Sequence, residues 1–97
     1  MIVSFKDEGT RDIFQKRDTR AARKSCPSTL WPIAQHRLDS LDRADSLADL
    51  TIPQGNRLER LKRDRAGQHS VRINRQYRIC FWWTEEGPAD VEIVDYH

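Results

Sequence analysis

A chain of 97 residues with 37% hydrophobic, 33% charged and a net charge of +2 sets a single domain, 1–97, with a small core. No apolar run approaches the roughly 18 residues of a membrane span, and "MIVSFKDEG" turns charged too early for a secretory signal. Cys26 and Cys80 form no C-x-x-C pair, so the expectation is a cytoplasmic protein with two free thiols, no membrane contact and no disulfide framework.

Residues 2–5, "IVSF", read as a first strand of β-branched and aromatic residues. Asp7 is placed to cap a helix over about 9–16, which Gly9 weakens. The basic stretch "KRDTRAARK" at 16–24 shows no clear periodicity. Leu30, Ile33, Ala34, Leu38, Leu41 and Ala44 then recur at three and four residues, one apolar stripe that predicts a helix over 30–44. Ser28 or Thr29 can cap it, and Pro32 is tolerable because it falls in the first turn. "DSLADL" at 45–50 adds a helical turn, and "TIPQGN" at 51–56 is a loop.

From there the period shortens towards two. "RLERLK" at 57–62 alternates weakly, "DRAG" at 64–67 is a turn, and "HSVRIN" at 69–74 puts Val71 and Ile73 on one face. "YRICFWWT" at 77–84 puts Tyr77, Ile79, Phe81 and Trp83 on one face and Arg78, Cys80, Trp82 and Thr84 on the other, with the tryptophans expected in the core. "EEGPA" at 85–89 is a turn, and "DVEIVDY" at 90–96 alternates again. Strands joined by short turns are antiparallel neighbours. The predicted fold class is therefore α+β, an N-terminal strand and two helices packed on one face of a twisted antiparallel sheet.

Charge is divided unevenly along this plan. Residues 57–78 carry eight cations (Arg57, Arg60, Lys62, Arg63, Arg65, Arg72, Arg75, Arg78) against Glu59 and Asp64. Residues 79–97 carry five acids and no cation. Blocks of this kind point to a polyanionic partner. On the sheet face away from the helices, Arg60, Lys62, Arg72 and Arg78 recur along the strands, with Tyr96 and His97 at the end of the last one. Cations that hold phosphate beside a ring that stacks on a base make a workable RNA platform. Arg78 has two readings, a phosphate clamp or a cross-strand partner of Glu92. His36, His69 and His97 are too scattered for a zinc site. No phosphate-cradling glycine motif and no G-x-S-x-G occurs, so no metal or cofactor is expected.

Residues 55–97, "GNRLERLKRDRAGQHSVRINRQYRICFWWTEEGPADVEIVDYH", resemble the C-terminal half of HigB-type toxins, the host-inhibition subgroup of the RelE/ParE toxin–antitoxin superfamily. "MIVSFKDEGTRDIF" is similar as well, whereas 16–35 matches poorly. The resemblance implies a microbial-RNase-like RelE fold and an mRNA endoribonuclease acting in the A site of the translating ribosome. It also implies a HigA-type helix-turn-helix antitoxin, with operator DNA contacted only through that partner. The family's terminal motif falls on Asp95, Tyr96 and His97, its lysine on Lys62 and its strand arginine on Arg78. The resemblance makes His97 the proton-transfer residue, oriented by Asp95, with Tyr96 against a base or phosphate and Lys62 and Arg78 on the transition-state charge. Arg60, Arg63, Arg65, Arg72 and Arg75 are the expected RNA contacts.

Two departures stand out. Glu59 occupies a position where some members carry histidine, and Arg63 replaces a glycine, which strains the turn if φ is positive there. A ParE-like toxin that poisons DNA gyrase and a non-catalytic RNA-binding module are the rival readings. His97 with Lys62 and Arg78 favours cleavage over the first. Cations that sit on strands, with no helix-turn-helix pattern, give the second less support than the full motif gives a nuclease.

Overall fold

The computed structural model describes residues 1–96. Asp7 starts the first helix, α1 (Glu8–Phe14): its side chain accepts the Thr10 N–H at 2.7 Å. Gly9, which weakens the helix by propensity, is where a second helix crosses. A Cβ there would stand 2.4 Å from the carbonyl oxygen of Ala21 in α2 (Arg20–Ser25). Helix α2 is an element that periodicity did not reveal. Its buried residue is Ala22, so it has no apolar stripe to read, and Thr19 starts it by accepting the Ala22 N–H at 3.0 Å.

The third helix, α3 (Trp31–Arg43), follows the expected stripe, with Ala34, Leu38 and Leu41 buried and Pro32 in the first turn. Ser28 and Thr29 do not cap it. They form a separate 3-10 turn, and no side chain caps Leu30 at the helix start. Ile33, at the stripe's edge, stays exposed. "DSLADL" becomes a 3-10 turn, Leu47–Thr51, closed by a reciprocal Ser46–Asp49 capping box.

Four antiparallel strands follow in sheet order β1-β2-β3-β4: β1 (Glu59–Arg60), β2 (Gln68–Arg72), β3 (Tyr77–Thr84) and β4 (Gly87–Asp95). The last turn is shorter than expected, with Glu85 and Glu86 between paired Thr84 and Gly87. The "IVSF" segment is not a full strand. It runs beside the outer edge of β4 through a Phe5–Val91 bridge, with Val3 N–H donating to the Pro88 carbonyl at 2.7 Å and Lys6 N–H to that of Val91 at 3.0 Å. Those bonds satisfy edge groups that would otherwise invite another chain.

The core lies between the three helices and the inner sheet face, where Ile13, Leu38 and Leu41 meet Val71, Ile79, Phe81, Val91 and Ile93. This is the α+β arrangement that the sequence predicts, with one helix more and the first strand reduced to a bridge. Among the described residues no helix is long and apolar enough to cross a membrane.

Candidate functional site

Strand register decides what the outer sheet face presents. Glu59 pairs with Ser70, Ser70 with Cys80, and Arg72 with Arg78. Cys80 pairs with Glu92, and Arg78 with Val94. Opposed residues share a face, so Glu59, Ser70, Arg72, Arg78, Cys80, Glu92 and Val94 all lie on the side away from the helices, and alternation adds Tyr96.

One half of that face is covered. Residues 61–67 fold back over it: Leu61 and Cys80 are buried outside the main core cluster. A Cβ on Gly67 would stand 2.6 Å from the Trp82 ring. Arg65 Nη1 donates to Glu92 Oε2 at 3.2 Å and to Gln68 Oε1 at 3.3 Å, and Lys6 Nζ reaches the same Glu92 oxygen at 3.3 Å. Burial alone would lower the Arg65 guanidinium, but its bond to Glu92 and the field of Cys80, Glu92 and Tyr96 raise it above its ordinary value. Burial also pushes the Cys80 thiol up. Trp82 keeps 41% of its surface exposed, so it is not the core residue its strand suggested. Trp31 and Trp83 do pack against the core.

The other half is open. Arg57, Glu59, Arg72, Asn74, Arg75, Arg78 and Tyr96 line a cavity of about 350 Å³. A second, of about 420 Å³, adjoins it at Glu59 and Tyr96 and is lined by Arg60, Leu61, Lys62 and Arg63. Tyr96 is held there because its N–H donates to the Gln76 carbonyl at 2.6 Å, which ties the strand end to the β2–β3 turn. Asn74 shapes that turn, its Oδ1 accepting the N–H groups of Gln76 and Tyr77 at 2.9 and 2.7 Å.

Arg78 is the best-anchored cation of the open half. Its Nε donates to Ser70 Oγ at 2.6 Å and its Nη2 to the Arg57 carbonyl at 2.5 Å. Arg57 offers that carbonyl from a left-handed backbone, φ 44°. The carboxylate near Arg78 is Glu59, with Oε1 3.8 Å from Nη1. Glu92, the cross-strand partner the sequence suggested, is instead taken by Arg65 and Lys6.

Thus Arg72, Arg75, Arg78 and Tyr96 share one cavity, and Lys62 and Arg63 share the next with Arg60, which pairs with His69 and so starts from the helix side of β1, not from the outer face that the sequence suggested. Arg65 sits apart in the covered half. Asp95 lies opposite Tyr77, on the helix side of the sheet, and its Oδ2 accepts from the Gln76 side chain at 3.1 Å. His97 lies outside the described residues. The second basic stretch, 16–24, belongs to the helical layer across the sheet from the cavities. His69 stacks on Phe81 on the inner face, and burial followed by the charge of Arg60 lowers its pKa from the usual 6.5. Arg57 and Asn74 were absent from the expected site set. Arg57 was visible as part of the basic block, but its contribution is a carbonyl, and no residue-type pattern encodes that.

Arg63 has φ 57°. The replaced glycine therefore falls at a left-handed position, where a side chain costs about 1 kcal/mol.

Residues 3–97 match the family model described as the RelE-like toxin of the type II toxin–antitoxin system HigB. The chain is 35% identical over its full length to "Toxin HigB-1" of Vibrio cholerae, covering 98% of that protein. It is 30% identical to "Endoribonuclease HigB" of Proteus vulgaris, with both chains fully covered. Among solved structures, a chain of the YoeB–YefM complex from Staphylococcus aureus superposes with a TM-score of 0.61 at 15% identity, covering all of this chain and 98% of that one. At that identity the likeness speaks for the fold alone.

Proposed function

The chain belongs to the HigB-like, RelE-like toxins of type II toxin–antitoxin systems, and from that premise we propose that it is a ribosome-dependent endoribonuclease that cleaves mRNA in the A site and so inhibits translation. The observation that carries this reading is the pairing of Arg72 directly opposite Arg78 in a cavity that also holds Arg57 and Arg75. Like charges opposed across strands destabilise a sheet. A phosphate between them turns that repulsion into attraction. The Proteus vulgaris relative, named an endoribonuclease, supports RNA as the source of that phosphate.

In the proposed reaction the ribose 2′-oxygen attacks the adjacent phosphorus, the bond to the 5′-oxygen breaks, and a 2′,3′-cyclic phosphate and a 5′-hydroxyl remain. Arg78 and Lys62 stabilise charge on the phosphorane-like transition state. Arg78 suits this because Ser70 and Arg57 hold the guanidinium in place before substrate arrives. Tyr96 stacks on a base at the junction of the two cavities. His97 protonates the leaving 5′-oxygen. Arg60, Arg63, Arg72 and Arg75 hold flanking phosphates, and the ribosome positions the message. A HigA-type antitoxin is the proposed partner, with operator DNA reached only through it.

Primer extension on an mRNA under translation, with wild-type protein and the His97→Ala variant, tests the reading. The expected result is cleavage within A-site codons for the wild type and its loss in the variant. Cleavage of free RNA at equal rate refutes ribosome dependence, and absence of any cleavage by the wild type refutes the nuclease.

A further inference from the structure

Arg78 is anchored through its side chain. Its cross-strand partner Arg72 is not: among the described residues the Arg72 side chain makes no hydrogen bond or ion pair. What is held is its backbone. Ile73 N–H donates to the Tyr77 carbonyl at 3.0 Å, so Ile73 points its backbone groups at β3. In an antiparallel ladder the preceding residue points the other way, which aims the Arg72 carbonyl at the β1 side of the sheet. Strand β1 does not reach that far, since Glu59 and Arg60 pair with Ser70 and His69. Arg37 of α3 takes the place of the missing strand, its Nε donating to the Arg72 carbonyl at 3.0 Å. Arg37 lies one turn from the buried Ala34 and one turn from the buried Leu41, so the apolar stripe of α3 carries it to the sheet. Its Nη2 lies beside Gly55, where a Cβ would stand 3.4 Å away. Burial lowers its pKa from the usual value, and among the described residues no carboxylate pairs with it.

We propose that Arg37 is a positioning residue of the cleavage site, holding Arg72 opposite Arg78 so that the pair is set for phosphate; the assignment rests on the endoribonuclease reading. The physical need is repulsion. Two like charges opposed across strands push their strand ends apart, and the end of β2 has no strand on its other side to resist. A bond from α3 to the Arg72 carbonyl ties that end to the helical layer, whose Leu38 and Leu41 pack in the core against the sheet. A guanidinium suits the task because Nε meets the carbonyl while the rest of the planar fork fills the gap to Gly55, which a lysine ammonium does not. A neutral acceptor leaves the charge of Arg37 uncancelled behind the cavity, where it adds to the potential that a phosphate meets. Arg37 itself lines neither cavity, so it acts through Arg72 and not on the RNA.

The test is a double-mutant cycle between Arg37 and Arg72, read as single-turnover cleavage of mRNA on programmed ribosomes at saturating protein, with a thermal melt of each variant. Arg37→Met keeps an unbranched stem and removes the fork. The expected result is a rate about 10–100-fold lower with little change in affinity for the programmed ribosome, the size of effect that a small misplacement near the reacting atoms produces. Combined with Arg72→Ala, the same substitution should lower the rate by less than about threefold, because a residue acting through Arg72 then has nothing left to position. Arg37→Lys, which keeps the charge but loses the Nε bond, carries the same cycle if Arg37→Met melts below the assay temperature. An equal loss in both backgrounds, or full activity of the Arg37 variants, overturns the assignment and leaves Arg37 a brace between helix and sheet. A wild type that cuts nothing refutes the nuclease reading instead. The cycle is then read as affinity for a 2′-deoxy oligonucleotide, which Arg37→Met should weaken only when Arg72 is present; a loss independent of Arg72 overturns the assignment there as well.

Discussion

The two halves of the outer sheet face each hold an arginine facing a glutamate, arranged in opposite ways. In the covered half the acid is the buried partner: Glu92 takes both Arg65 and Lys6 at 3.2 and 3.3 Å, beneath a loop that also buries Leu61 and Cys80. In the open half the base is the buried partner, and Arg78 is fixed by Ser70 and by the Arg57 carbonyl, not by its carboxylate. A saturated ion pair has no capacity left for a ligand. A guanidinium positioned by neutral acceptors keeps nearly all its charge for one. The contrast separates a cross-brace from a binding site on a single sheet.

The largest effect should come from Arg78→Gln. Cleavage should fall about 1000-fold, as for loss of a preorganised charge-stabilising donor. The melting temperature should also drop, because Ser70 and Arg57 lose a charged partner worth about 1.5–3 kcal/mol per hydrogen bond. Single-turnover rates and a thermal melt measure both. Next in size is Gly67→Ala in the covered half. Its φ of +95° and the 2.6 Å approach to Trp82 predict a loss of about 2 kcal/mol or more in urea unfolding, with the folded fraction still cutting at nearly the wild-type rate. Glu92→Gln should cost about 1–2 kcal/mol and alter cleavage by less than about threefold, since it breaks a brace and spares the cavities. A tenfold loss of activity there would erase the distinction between the halves.

Arg63→Gly should act in the reverse sense. Relief of the left-handed backbone predicts a gain of about 1 kcal/mol in unfolding free energy. Loss of one phosphate contact predicts a salt slope of ribosome binding shallower by about one. The smallest effect concerns His69 on the inner face. Its folded pKa lies below its unfolded value, so the unfolded chain binds more protons and stability declines as pH falls through the region of 6.5 and below. Urea unfolding at pH 7.5 and 5.5 should show a smaller difference in His69→Phe than in wild type.

Much of the architecture was legible because period and burial coincide in it. The α3 stripe and the alternation in β3 and β4 appear where apolar side chains meet one core, as Leu38, Ile79 and Val91 do. Helix α2 escaped because it buries little beyond Ala22. The "IVSF" segment read as a strand by residue type, yet it pairs with β4 through a bridge and a few bonds. The tryptophans misled because two adjacent residues on a strand must face opposite sides, which leaves Trp82 outside when Trp83 goes in.

The candidate site divides along the same line. Residue type and spacing alone determined that a basic block precedes an acidic one, that Arg78 sits on a strand, and that the ending "DYH" follows an alternating run, since charge and period are properties of the chain itself. Only the tertiary structure decided which arginine is braced and which is available. That depends on register and on the fold-back of residues 61–67, which gives Glu92 to Arg65 and leaves Glu59 at the edge of Arg78. Contacts of this kind join residues far apart in sequence, such as Arg65 with Glu92, and no local pattern carries information about them.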